Sequence, residues 1–264
     1  IGADTLSIAI NQADESGQVI DFSAAATDLT VATGPNEADA VIFDMDGADG
    51  ALITASGNLT VAVYEFFQVS GGFALSKSEG TITLSDADAT EVSVDQLTLG
   101  GSNVSAFAGL AGGTTDALGF ALDELDFALG LFSDQSDATR SWTTLQATAS
   151  RFEFVGVDGL SVAGSSLSVS INQASDDTEI ADFSANPLAV QIGPSSSHDL
   201  DLDGSRGALL EVSGDVDIDV YGFVALTGGF AFVKSEATVP VYLNEATGDV
   251  AVELLTIGAS DVSA

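Results

Sequence analysis

The chain has no cysteine, one histidine, five basic residues, four prolines and one tryptophan in 264 residues. Zero cysteine excludes disulfides, thiolate zinc sites and cysteine nucleophiles. A single histidine, His198, leaves a Ser–His–Asp arrangement resting on one residue. The five basic residues face 40 acidic ones, a formal net charge of −35, which argues against nucleic acids and anionic membranes as partners. No apolar run approaches the ~20 residues of a membrane helix, so no membrane insertion is expected. What is present is a core: 45% of residues are hydrophobic and the mean hydropathy is +0.33, unlike a disordered acidic tail. The length allows one large domain or two ordinary ones.

An internal repeat organises the chain. Leu6-Ser7-Ile8-Ala9-Ile10-Asn11-Gln12-Ala13 returns as Leu167-Ser168-Val169-Ser170-Ile171-Asn172-Gln173-Ala174, an offset of 161. Leu29-Thr30-Val31 and Gly34-Pro35 return at Leu188 and Gly193, offset by 159. Ser56-Gly57, Tyr64, Gly71-Gly72-Phe73-Ala74 and Lys77-Ser78-Glu79 return 157 positions on. Leu97-Thr98-Leu99-Gly100 answers Leu255-Thr256-Ile257-Gly258 at 158. The unit is about 160 residues, with a first copy over 1–164 and a second, shorter copy over 165–264. Residues 107–164 have no counterpart. The chain opens on Ile1, and Ala264 falls inside a motif that continues in the first copy, so it reads as a piece of something longer.

Side-chain alternation predicts an all-β fold of long amphipathic, mostly antiparallel strands, a sandwich or a solenoid. Over residues 51–69 one parity carries Ile53, Ala55, Leu59, Val61, Val63, Phe67 and Val69, and the other Thr54, Ser56, Asn58, Thr60 and Gln68. In the second copy the polar parity becomes Glu211, Ser213, Asp215, Asp217 and Asp219, while the apolar one stays aliphatic. That is the pattern of a strand dry on one face. A single strand this long would exceed the usual five or six residues, so it is coiled or bends near Gly57 and Gly214. Tyr64 and Phe66 break the parity and predict a bulge or a second packing surface. The Gly-Gly pairs at 71–72 and 228–229 predict bends or bulges. Residues 120–132 suit a strand better than the competing short helix. Turns are expected at 44–50, 112–113, 133–138, 158–159 and 164–166.

The acidic turns carry the most pointed chemistry. Asp199-Leu200-Asp201-Leu202-Asp203-Gly204 has the spacing with which calcium loops begin, and the first copy keeps Asp44 and Asp46 before Gly47. These five aspartates are the candidate calcium ligands. The competing reading is a strand ending in an Asp-Gly turn, since the twelfth loop position is Leu210. Lys77 and Lys234, the only lysines, occupy equivalent positions and suggest one structural ion pair per unit. Trp142 reads as a core plug. No residue constellation points to catalysis, so no enzyme is expected.

Three stretches, SGNLTVAVYEFFQVSGGFALSKSE (56–79), LTLGGSNVSAFAGL (97–110) and FVGVDGLSVAG (154–164), resemble tandem repeats of very large bacterial cell-surface and secreted adhesin-like proteins. The resemblance implies an extracellular or cell-surface scaffold or extender, often calcium-stiffened. Its partners would be adjacent repeats of the same chain, with self-association into filaments or attachment to a cell surface. Two other readings stand beside it. The aliphatic face could form an open groove that binds or conveys lipid, distinguished by apolar residues that nothing covers. A carbohydrate-binding module would lean on Trp142.

Overall fold

The computed structural model describes residues 1–264 apart from 24–28, 37–38, 176–178 and 244–245. The chain is all-β. Ten strands form one antiparallel sheet: β1 (Gly2–Asn11), β4 (Leu52–Val63), β5 (Phe67–Thr83), β6 (Glu91–Leu110), β7 (Leu118–Asp134), β8 (Ser141–Val155), β9 (Leu160–Ala174), β12 (Leu209–Val220), β13 (Val224–Leu243) and β14 (Ala246–Ser263). They lie side by side in chain order. Two hairpins stand outside the sheet, β2 (Leu29–Ala32) with β3 (Ala40–Phe43), and β10 (Leu188–Gly193) with β11 (Ser196–Leu200). Each belongs to an insert at the same point of the repeat, residues 12–51 between β1 and β4 and residues 175–208 between β9 and β12. The strand pattern restarts at β9, so one unit contributes six strands, β1 and β4–β8. The copies meet inside β9, which carries the sheet across the 164/165 boundary without a break.

The apolar run over 51–69 is two strands and not one. It folds back at Tyr64-Glu65-Phe66, with Val63 opposite Phe67 and the Phe66 N–H donating to the Val63 carbonyl at 3.2 Å. Tyr64 takes φ +51° to close the turn. Tyr221 repeats this at φ +54°, followed by Gly222 at +67°. The predicted turn at 164–166 is also absent as a turn, because those residues lie within β9. Ser166 instead joins Thr5, Asn103, Glu124 and Asp261, all non-glycines with φ of 49–53°. Register shifts beside these positions in β1/β4, β5/β6, β6/β7, β9/β12 and β13/β14 mark a line of bulges running across the sheet. Bulges bend a strand and sharpen its twist, so the line acts as a crease. The Gly71-Gly72 pair lies on this crease with β5 unbroken, and residues 120–132 are strand.

Cross-strand pairing assigns the two parities to two faces. One row runs Ile8–Ala55–Leu75–Leu99–Leu129–Leu145–Ile171–Leu210–Lys234–Leu255 across all ten strands. The opposite face, in the middle of β5–β8, carries small residues: Gly72, Ala74, Ser76, Thr98, Gly100, Ala128, Gly130 and Thr144. Toward one end of the strands that face turns apolar, with Ile82, Leu84, Val92, Val94, Phe132 and Trp142. Here the sequence expectation fails in an informative way. Residues 179–208 of the insert lie on the small-residue face, so this two-layered part of the molecule is built on the parity that reads as wet. The reason is clearance: a Cβ on Gly100 would come within 2.3 Å of the Gln191 carbonyl oxygen and 2.5 Å of the Ile192 Cα. Small side chains let one backbone settle onto another.

Candidate interaction surfaces: a latch and an open face

The insert of the second copy works as a latch over the first. β10 crosses β5 and β6 and reaches β4 and β7, while β11 lies over β7 and β8. Under it Val190, Ile192 and Leu200 close on Ala128, and Ala181 and Phe183 close on Ile82, Leu84, Val92, Val94, Phe132 and Trp142. Phe132 and Phe183 meet at 5.6 Å between ring centroids. Burying aliphatic and aromatic side chains of this size is worth about 1.5–3 kcal/mol each, so the latch adds to the stability that strand pairing gives the sheet.

Directed bonds fix its position. Residues 180–182 run along the end of β5, where the Ser85 N–H donates to the Ile180 carbonyl and the Asp182 N–H to the Thr83 carbonyl, both at 2.8 Å. The Trp142 Nε1–H donates to the Glu179 carbonyl at 3.0 Å. Asn172, fully buried, donates through Nδ2 to the Ala181 carbonyl at 2.7 Å and accepts from the Thr144 hydroxyl at 3.1 Å. Arg140 bridges Asp134 at 3.2 Å and Glu179, and its guanidinium lies 5.2 Å from the Trp142 ring centre. Trp142 is therefore a core plug with its N–H engaged, and no sugar can stack on it.

The candidate calcium ligands have other work. Asp203 caps the 3-10 turn 204–206 and accepts from the Ser205 N–H at 2.8 Å, and Asp46 caps the turn 47–49 by accepting from the Ala48 N–H at 2.8 Å. Asp201 and Gln146 exchange two hydrogen bonds, 2.8 and 2.9 Å, that tie the end of the latch to β8. Asp199 faces solvent from β11, paired with Ala189. Asp44 follows β3. Among the described residues no three carboxylate or imidazole groups gather where they could hold an ion, so the calcium expectation draws no support from this arrangement.

Several aspartates have a local structural role that sequence reading passed over. Asp14, Asp134, Asp137 and Asp182 are each followed two residues later by Ser or Thr, and each accepts from both the N–H and the hydroxyl of that residue. Asp86 does the same with Thr90. The first four are Asx-type turns whose D-x-[ST] spacing was the legible signal; Asp86 and Thr90 stand four apart. Their carboxyls are held below the ordinary value. For Asp134 and Asp137 the Ser136 and Thr139 hydroxyls are the leading cause. At Asp182 burial pushes upward, and the N–H and hydroxyl of Ser184 with the Gly204 N–H outweigh it.

The apolar face is bare. Ile8, Ile53, Phe67, Leu75, Leu97, Phe120, Leu131, Phe232, Leu255 and Ile257 are all exposed, and among the described residues no element packs on them. Lys234 lies at the margin of this face, ion-paired with Glu253 on β14. Its equivalent Lys77 stands beside Asp95, one methylene shorter than Glu253, and that carboxylate accepts from Gln135 Nε2 at 3.3 Å. Among the described residues no helix is long and apolar enough to cross a membrane. Comparison with family models, with curated proteins and with solved structures finds no match to this chain.

Proposed function

We propose that the chain is a structural segment, an extender or scaffold in which successive units merge into one sheet and each unit's insert latches the unit before it. The observation that carries this is the second copy's insert seated on the first copy's strands, within a sheet that runs unbroken through both copies. At about 4.8 Å between neighbouring strands, the six strands of a unit lengthen the sheet by roughly 29 Å. The acidic surface keeps such an assembly soluble and apart from other polyanions. With the resemblance noted above, the reading places the protein at a bacterial surface or outside the cell. Antibody labelling of intact producing cells, with the sequence of the encoding gene, tests it. Surface label and further units at the same spacing sustain it; label confined to the cell interior, or a gene holding only these two copies beside an unrelated catalytic domain, overturns it.

A second reading has its own observation. The uncovered apolar row meets the stated criterion for a groove that takes up lipid. Mass spectrometry of a solvent extract of native protein tests it: stoichiometric acyl chains favour the groove, and a lipid-free extract removes it.

A further inference from the structure

The face opposite the latch is apolar from one side of the sheet to the other. We propose that this face, centred on β5–β9, is an interface with a second copy of this chain, the two sheets stacked face to face about a two-fold axis. This rests on the scaffold reading, gives its sheet a second ply, and assigns the uncovered apolar row a protein occupant in place of an acyl chain.

The patch is continuous and uncharged. Five rows of cross-strand partners traverse β5–β9, from the row through Leu75 and Ile171 to the row through Phe67 and Val162, and every paired position in them is apolar or glycine. The crease interrupts the register between the rows and not their character. Asp123, Asp126 and Glu153 alternate with these residues along β7 and β8, so they point to the opposite face. The bareness does not depend on the ends of the chain, because β5–β9 have strand neighbours on both sides. Even so Leu97, Leu131 and Phe120 are 37%, 39% and 59% exposed. The insert after β9 lies on the other face. By the repeat, an added unit would lengthen the sheet in its own plane and latch that same other face, leaving this one bare.

Size and shape select the occupant. With ~4.8 Å between strands and ~3.3 Å per residue, five strands and the length of β7 from Phe120 to Leu131 outline a patch of about 24 Å by 36 Å. That is close to the roughly 800 Å² each partner gives to a stable interface, and above the few hundred Å² that a monomer ordinarily leaves apolar. An apolar sheet face is covered most directly by another sheet, about 10 Å away with strands within about 30° of its own. A second copy supplies that face at the same length, and two multi-unit chains would stay matched along their whole extent. At one end the patch is bordered by Lys77, Glu79 and Asp95, two residues or less from the Leu97 row, which gives the apolar centre a polar rim of both signs. A two-fold pairing uses the face up, so association stops at the dimer.

Sedimentation velocity of the whole chain over a concentration series tests this, in about 1 M salt so that the Debye length falls to ~3 Å and the net charge is screened. A monomer–dimer equilibrium with nothing larger is expected. Phe120→Asp and Leu131→Asp each bury an unpaired carboxylate in the pair and should raise the dimer dissociation constant about tenfold or more, with the β-sheet circular dichroism unchanged. Asp217→Asn, on the other face, should leave the constant as it is. The chain has no cysteine, so a nitroxide on Leu97→Cys reports on this face alone. Its spectrum should broaden as the dimer forms, and that of a label on Asp217→Cys should not. A wild type that stays monomeric at its highest soluble concentration overturns the proposal. So do stoichiometric acyl chains in a solvent extract of native protein, which would give the face to lipid, and so does association that survives both apolar-face variants, which would place the contact elsewhere. None of these results touches the scaffold reading, which is decided by surface labelling and by the encoding gene.

Discussion

The two copies of the unit have nearly the same strands and opposite circumstances. β5 and β6 lie under an insert and bury Ala74, Ile82, Val92 and Val94 there, while β13 and β14 repeat their sequence with the same face in solvent. Packing here is a property of the pair of neighbouring units and not of the unit itself. That is the energetic logic of repeat proteins, in which interfaces between units stabilise as much as the units do. The same substitution at equivalent positions should then have unequal effects, and the inequality can be measured.

The largest difference is expected in the latch residues. Leu200→Ala removes a fully buried side chain beside Ala128 and should cost about 2–5 kcal/mol in denaturant unfolding. Phe43→Ala, its counterpart, should cost well under half as much; equal losses would mean that the first insert is packed too. Next comes clearance. Gly100→Val forces the latch backbone away and should cost about 1–3 kcal/mol as an overpacking change, whereas Gly258→Val should fall within about 0.5 kcal/mol of the wild type or stabilise the strand. A smaller gap is expected at the bonds. Trp142→Phe strands the Glu179 carbonyl and should cost about 1–3 kcal/mol, seen as faster amide exchange in residues 179–184 with no change in β13 or β14.

The acid dependence sharpens the comparison further. Asp134, Asp137 and Asp182 have folded pKa values below the ordinary carboxyl value. Their contribution is complete above the unfolded value of about 4 and is lost as pH falls through the lower folded values. Protection of the Ser136, Thr139, Ser184 and Gly204 amides, measured relative to their intrinsic exchange rates, should therefore fall below about pH 4. Unchanged protection there would show that the carboxylates do not hold those turns. The smallest effect is expected from calcium. With Asp46, Asp201 and Asp203 occupied by hydrogen bonds, calcium and chelator should give the same melting temperature; a rise with calcium would return an ion to these turns.

Several of these features could be read in advance, and the failures share a cause. The repeat, the long strands and the plug role of Trp142 were legible because each depends on short stretches of chain. The turn at Tyr64-Glu65-Phe66 was not, because those three residues carry no turn chemistry; the second copy does, at Gly222. Gly164-Ser165-Ser166 looks like a turn, yet pairing on both sides holds it in β9 and converts it to a bulge. The calcium spacing around Asp201 is legible as a pattern, whereas the partner that its carboxylate has in the fold, Gln146, lies 55 residues away and is not.

Alternation along a strand is set by neighbouring residues, so the sequence alone established long amphipathic segments, their repetition and the difference between their two faces. It could not say which face another part of the chain would cover. That depended on where the insert 175–208 travels after β9 and on whether its backbone finds a bed of glycine and alanine to approach. Apolar side chains favour burial wherever they are, but only the assembled structure determines which of them meet a partner and which are left facing water.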